Sequence, residues 1–155
     1  RGVGYRQGIA VIPGDSKELL LDNLSVGENL TIAAGNRVNY GRTFIINPRL
    51  CKKLAEGFCA SHQLPERMEE LTNVQRKILS IGRFEILRPQ VIFLELPYQG
   101  ISLDELPQLH RYLYSLAEKG ISIVYFSQSM EMLQENCTGI IRTRNGLSAK
   151  IDTFS

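Results

Sequence analysis

Pro89-Gln-Val-Ile-Phe-Leu-Glu-Leu-Pro97 is the stretch on which the fold turns. Val91 to Leu94 is a continuous apolar run with β-branched members, bounded by a proline on each side. A run this short and apolar predicts a strand buried on both faces. Downstream, Pro97 to Gly100 reads as a turn, and Leu106, Leu109, Leu113 and Leu116 then recur at the spacing of a helix packed on a sheet. Pro107 belongs in the first turn of that helix, which puts Asp104 at the N-cap, and Gly120 stops it. Ile121 to Phe126 is a second buried-strand run. Strand 91–95, helix 104–119 and strand 121–126 therefore predict one βαβ unit with a right-handed crossover. Upstream, Thr72-Asn-Val-Gln75 is a capping box that opens a helix through Leu87. Val74, Ile78, Ile81 and Phe84 form its apolar face, with Arg76, Lys77, Arg83 and Arg88 on the polar side.

Toward the N-terminus, Gly8 to Ile12 predicts a short strand ending at the turn Pro13-Gly14-Asp15. Ser25-Val-Gly-Glu28 is another capping box, opening a helix to about Ala34. Residues 35–46 read as irregular. Asn47-Pro48 starts a helix, with Leu50, Leu54, Ala55 and Phe58 at helical spacing, and Pro65 ends the segment. Toward the C-terminus, Met130 to Leu133 predicts one or two helical turns. Ile140–Thr143, Asn145-Gly146 and Leu147–Ile151 predict a hairpin with a type I′ turn. The chain is thus expected to be α/β, with a parallel sheet, a helical subdomain and a C-terminal hairpin. Its expected parts are residues 1–24, a helical segment 25–71, and an α/β part 72–155.

The 155 residues are enough to bury about 70% of the unfolded surface in one domain. Hydrophobic residues make up 43% and charged residues 22%, as in an ordinary globular domain. Eighteen basic against sixteen acidic side chains leave +2, which argues against a nucleic-acid or acidic-lipid binder. No apolar run approaches the length of a membrane span, and no signal-peptide pattern opens the chain. Since Arg1 is not a methionine, the chain is expected to be a piece of a longer one. Cys51, Cys59 and Cys137 form no Cys-x-x-Cys pair, so neither a disulfide framework nor a zinc site is expected. They read as small buried side chains. His62 and His110 lack metal-ligand spacing, and a His62–Cys59 catalytic pair is outweighed by an ordinary packed or exposed histidine.

In a parallel α/β sheet, ligands bind beyond the carboxyl ends of the strands. Two such ends can be named, Glu95-Leu96-Pro97 and Ser127-Gln128-Ser129. A carboxylate at the end of an apolar strand is costly unless it is paired, hydrated or beside a cation. Glu95 is therefore either a hydrated residue at the sheet edge or a ligand for Mg²⁺.

Several segments in succession resemble the second ATPase half of sugar-importing ABC transporter ATP-binding proteins, the ribose/galactose type. Gly8-Ile-Ala-Val-Ile-Pro-Gly-Asp-Ser-Lys17 is similar to "GIAYVPEDRK", and Leu24-Ser-Val-Gly-Glu-Asn-Leu30 to "LSVRENL". Leu71-Thr-Asn-Val-Gln-Arg-Lys77 falls where the family has its "LSGGNQQK" signature. Pro89 to Pro97 resembles the Walker B strand "PKVLILDEP", Gly120 to Ser127 the strand before the switch residue, and Ile140 to Gly146 "ILVMREGRI". The succession covers essentially the whole chain. It implies a partial P-loop NTPase core, Mg-ATP as cofactor, a membrane permease and a second ATPase half or homodimer partner, and a cytoplasmic place on the inner face of the membrane.

The departures from that pattern bear on the chemistry. No Gly-Lys-Ser or Gly-Lys-Thr occurs, so the phosphate-binding loop is absent from this sequence. In the family it lies upstream of the matched region. By resemblance the signature positions are Thr72, Asn73, Val74 and Gln75, where the family's glycines have become Asn73 and Val74. The Walker B carboxylate position holds Glu95, a candidate Mg²⁺ ligand. The catalytic glutamate position holds Leu96, which accepts no proton, and the switch position holds Gln128. The Q-loop position is Gly14 with Asp15 beside it, and the D-loop position is Ser102. Asp15, Glu95 and Gln128 are the nucleotide and Mg²⁺ candidates, and no catalytic residue is assigned. The expectation is a degenerate, non-hydrolytic ATP-binding subunit of a sugar importer. The alternatives are a nucleotide-binding domain with weak hydrolysis, in which Gln128 orients water, and an α/β protein-interaction module carrying Tyr98, Tyr112 and Tyr114.

Overall fold

The computed structural model describes residues 4–6, 8–15, 19–33, 47–144 and 147–153. The elements in chain order are β1 (Gly4–Arg6), β2 (Ile9–Ile12), α1 (Val26–Ile32), α2 (Pro48–His62), a 3₁₀ turn (Met68–Glu70), α3 (Asn73–Glu85), β3 (Val91–Glu95), α4 (Leu106–Glu118), β4 (Ser122–Phe126), α5 (Met130–Asn136), β5 (Gly139–Arg144) and β6 (Leu147–Thr153). The chain divides into two compact units, residues 1–125 and 126–155.

In the first unit a sheet runs in the order β1-β2-β3-β4. β1 pairs antiparallel with β2, and β2 pairs parallel with β3 in the register Ile9↔Val91 to Ile12↔Leu94. Strands that pair in parallel cannot be joined by a tight turn, so the long excursion through α1, α2 and α3 separates β2 from β3. α4 likewise separates β3 from β4.

The core follows from the side-chain alternation of strands and the stripe spacing of helices. Ala10, Ile12, Ile92 and Leu94 point to one face of the sheet. They meet Val74, Ile78, Ile81 and Phe84 of α3 and Leu109, Tyr112, Leu113 and Leu116 of α4. A second cluster joins Leu20, Val26, Leu30, Leu64, Met68, Leu71 and Leu79, so α3 is apolar toward both the sheet and the helical segment.

The opposite sheet face is open among the described residues. Ile9 is 42% exposed, Val11 39% and Val124 40%, and Val91 and Phe93 are only half-buried. This corrects the expectation that both strand runs are buried on both faces. The helices packed on the sheet lie on one face, and a continuous apolar run does not by itself reveal which faces are covered.

Helix starts follow local chemistry closely. The Ser25–Glu28 and Thr72–Gln75 capping boxes both form, and Asn47 caps α2 ahead of Pro48. Asn29 is fully buried, and its side chain accepts from the Leu21 N–H and donates to the Leu21 carbonyl, each at 2.8 Å. It thereby satisfies a loop that would otherwise carry unpaired backbone groups into the interior. Asp104 does not cap α4. Glu105 occupies the N-cap position without a side-chain bond, and its carboxylate accepts from the Ser102 N–H and hydroxyl instead. Its reach back to Ser102 closes the preceding turn, so the helix begins at Leu106 rather than residue 104.

The second unit holds α5 and the antiparallel hairpin β5–β6, with a register shift between Arg142 and Thr143. The expected type I′ turn at Asn145-Gly146 and the irregular stretch 35–46 lie outside the described residues.

Candidate functional site

β2 and β3 end side by side, and their carboxyl ends are built from Pro13-Gly14-Asp15 and Glu95-Leu96-Pro97. A Cβ added at Gly14 would lie 2.8 Å from Gln99 Oε1, 3.2 Å from the Glu95 carbonyl oxygen and 3.4 Å from Leu96 Cβ. Only glycine lets the first turn close against the second. The structure thus brings the Q-loop-like Gly14 against the Glu95–Leu96 end.

Glu95 itself is exposed. Leu96 follows in a left-handed conformation at φ +41° and is 40% exposed. That conformation is unfavourable for a residue with a Cβ, by roughly 1 kcal/mol or more. The strained position aims no ionisable group at the strand ends.

Asp15 is also exposed, and its charge acts on the ammonium of Lys77. Lys77 was expected on the polar side of its helix. It is instead buried, 2% exposed, and donates to the Gly14 carbonyl. Burial lowers its pKa, and the Asp15 carboxylate works in the opposite direction. The helical period alone puts residue 77 one turn from 74 and 81, on the flank of the apolar stripe. A long cationic side chain there can turn to solvent or fold under the neighbouring strand end, and spacing does not decide between them.

The signature-like residues occupy the start of α3. Thr72 caps the helix through the Gln75 N–H, and the Gln75 side chain accepts from the Thr72 N–H at 3.0 Å. Asn73 is exposed. Val74 is 1% exposed and sits in the core against the sheet, so its side chain packs inward. Ser102 is exposed and spends its hydroxyl on Glu105. Gln128 is exposed in the second unit, before α5.

The remaining chemistry-bearing side chains have structural surroundings. His62 ends α2 with its ring 4.5 Å from Phe58 and 4.7 Å from Tyr112 between centroids. Burial lowers its pKa, Glu85 opposes that shift and Lys119 adds to it. The Cys59 thiol is pushed up by burial, which disfavours the thiolate a His62–Cys59 pair would need. Cys51, Cys59 and Cys137 are all free thiols. Tyr112 donates to Glu85 at 2.8 Å, and Lys119 pairs with the same carboxylate at 2.7 Å. A shallow cavity of about 440 Å³ beside this cluster is lined by Ser61, His62, Gln108 and Arg111 among others. Among the described residues no group of three or more His, Cys, Asp and Glu side chains could hold a metal, and no helix is long and apolar enough to cross a membrane.

No protein-family model matches the chain. It is 30% identical over 131 residues to the ribose import ATP-binding protein RbsA of Bacillus cereus, covering 82% of this chain and 26% of that protein. It is 28% identical over 143 residues to the protein of the same name from Halalkalibacterium halodurans, covering 90% of this chain and 28% of that one. The chain therefore spans about a quarter of the length of these curated relatives. Among solved structures it resembles cbiO1 from Clostridium perfringens, part of the ABC transporter complex cbiONQ. The TM-score is 0.76 at 16% identity over 94% of this chain and 57% of that one. An ATP-binding cassette of an ABC transporter in its ADP conformation gives a TM-score of 0.72 at 20% identity, over 94% and 61%. The chain shares the fold of these two ABC transporter proteins.

Proposed function

We infer that this chain, a relative of the ATP-binding proteins of ribose and galactose importers with the fold of an ABC ATPase domain, is part of a sugar-importer ATP-binding subunit that does not itself hydrolyse ATP. Its role is to pair with an active ATPase half or a second copy, on the cytoplasmic face of the membrane. There it docks on a permease through the helical segment 25–71. In this division residues 1–24 supply the Q-loop-like turn and residues 72–155 the α/β part.

The observation that carries the reading is Leu96. The residue after the strand-end carboxylate is an alkyl side chain on a strained backbone. A general base at such a position contributes about 10²–10⁴-fold, and leucine supplies none of it. The rest of the site agrees. Mg²⁺ is ordinarily held by one or two carboxylates, with phosphate and water completing the shell. Exposed Glu95 fits that requirement as a single-point ligand. Asp15 fits it less well, because its charge already faces the Lys77 ammonium. When bound, Mg-ATP would supply phosphate charge at these strand ends. The chain's own contribution is one carboxylate and a turn held by internal contacts.

The test is phosphate release from Mg-ATP by the purified chain. The expected rate equals that of a protein-free control. Mg²⁺-dependent release that follows the protein peak through chromatography and disappears in Glu95→Gln would overturn the reading.

A further inference from the structure

Gln75, Arg76 and Lys77 are consecutive, and each binds a different distant part of the chain. Gln75 Nε2 donates to the Gln63 carbonyl at 3.0 Å, twelve residues away, just past the end of α2. Arg76 pairs with Asp22 at 3.0 Å, 54 residues away, and donates to the Met68 carbonyl at 2.8 Å. Lys77 donates to the Gly14 carbonyl, 63 residues away. Successive residues on a helix project about 100° apart, so three in a row can reach three directions. The first turn of α3 is where the strand-end turn, the α1 approach and the end of α2 are joined.

The Lys77 arm is the costly one. An ammonium taken out of water loses hydration that one carbonyl and one nearby carboxylate replace only in part. A methionine of similar volume would fill the same space without that loss. What the amine adds is a directional bond to a backbone carbonyl. Gly14 is in turn closely packed on Glu95, Leu96 and Gln99, so fixing Gly14 fixes the packing of the two strand ends.

We propose that Lys77 is a positioning residue that clamps the Pro13–Asp15 turn to α3, so that the strand ends and the helical segment held by Gln75 and Arg76 move as one body. The clamp stands whether or not the chain meets a nucleotide. It assigns the signature-like segment an internal mechanical role through its side chains.

The experiment is NMR on the whole chain. In the wild type, the Lys77 side chain is expected to titrate below the range of the exposed lysines, with slowed exchange of its amine protons. In Lys77→Met, the Gly14 carbonyl carbon and the Gly14 and Asp15 amides are expected to shift, because the Gly14 carbonyl loses its charged donor. Asp22 and Gln63 should stay in place. Arg76→Ala should give the converse pattern, moving Asp22 and Met68 and leaving Gly14. The proposal is overturned if Lys77 titrates and exchanges like an exposed lysine, a result that needs no variant to fold. It is equally overturned if the Gly14 and Asp15 resonances are unchanged in Lys77→Met.

Discussion

Leu109→Ala is expected to lower the unfolding free energy by about 2–5 kcal/mol. Leu109 is fully buried on α4, in the cluster that joins α3, α4 and the covered sheet face. Truncation removes its transfer free energy and leaves a cavity between helices and sheet whose walls can relax only in part. Domains of this kind retain about 5–15 kcal/mol in total, so the loss is a large share of the whole. Leu103 is the internal control. It is 84% exposed, and Leu103→Ala should fall within about 0.5 kcal/mol of wild type. Urea unfolding of both variants checks the pair. Similar losses at the two positions would mean that α4 does not pack as described.

Gly82→Ala is expected to destabilise by about 1–3 kcal/mol, against the direction of helix propensity. In an open helix, alanine for glycine is favourable by about 0.8–1 kcal/mol. Here the new Cβ would lie 2.2 Å from Phe58 Cζ and under 3.0 Å from both Cε atoms. The ring cannot retreat freely, because it packs against His62 and Tyr112. α2 would have to move away from α3. Phe58→Ala removes the obstacle, so the Gly82→Ala penalty should vanish or reverse in that background. A double-mutant cycle by denaturant unfolding reads this coupling. Equal penalties with and without the ring would contradict the packing.

The parts of the fold visible in the sequence are those governed by local chemistry. Both capping boxes, the Asn47-Pro48 helix start, the leucine stripe of α4 and the two strand runs of the β5–β6 hairpin depend on neighbours within a few residues. Tertiary choices were not visible in the same way. Whether Val91 and Phe93 are covered depends on which layers flank the sheet, and the run Val-Ile-Phe-Leu is compatible with either answer. Asp104 and Glu105 are both plausible caps by residue type, but only the reach of Glu105 back to Ser102 decides where α4 begins. The site divides along the same line. The strand-end position of Glu95 and Leu96 follows from the βαβ pattern, and the family resemblance supplied their meaning. Lys77 was missed because a lysine on the edge of an apolar stripe ordinarily keeps its head in water. The available signal was its place between the buried positions 74 and 81 together with Pro13-Gly14, a turn able to offer a bare carbonyl.

We propose in addition that the strand ends, closed on internal contacts and offering one exposed carboxylate, bind Mg-ATP too weakly on this chain alone to register in its stability. The direct measurement is the thermal midpoint with and without millimolar Mg-ATP. The same midpoint is expected in both. Binding at one hundred times the dissociation constant would stabilise by about 2.7 kcal/mol, a rise of several degrees for a chain of this length. Such a rise, lost in Glu95→Gln, would contradict the account and return the strand ends to service as a nucleotide site.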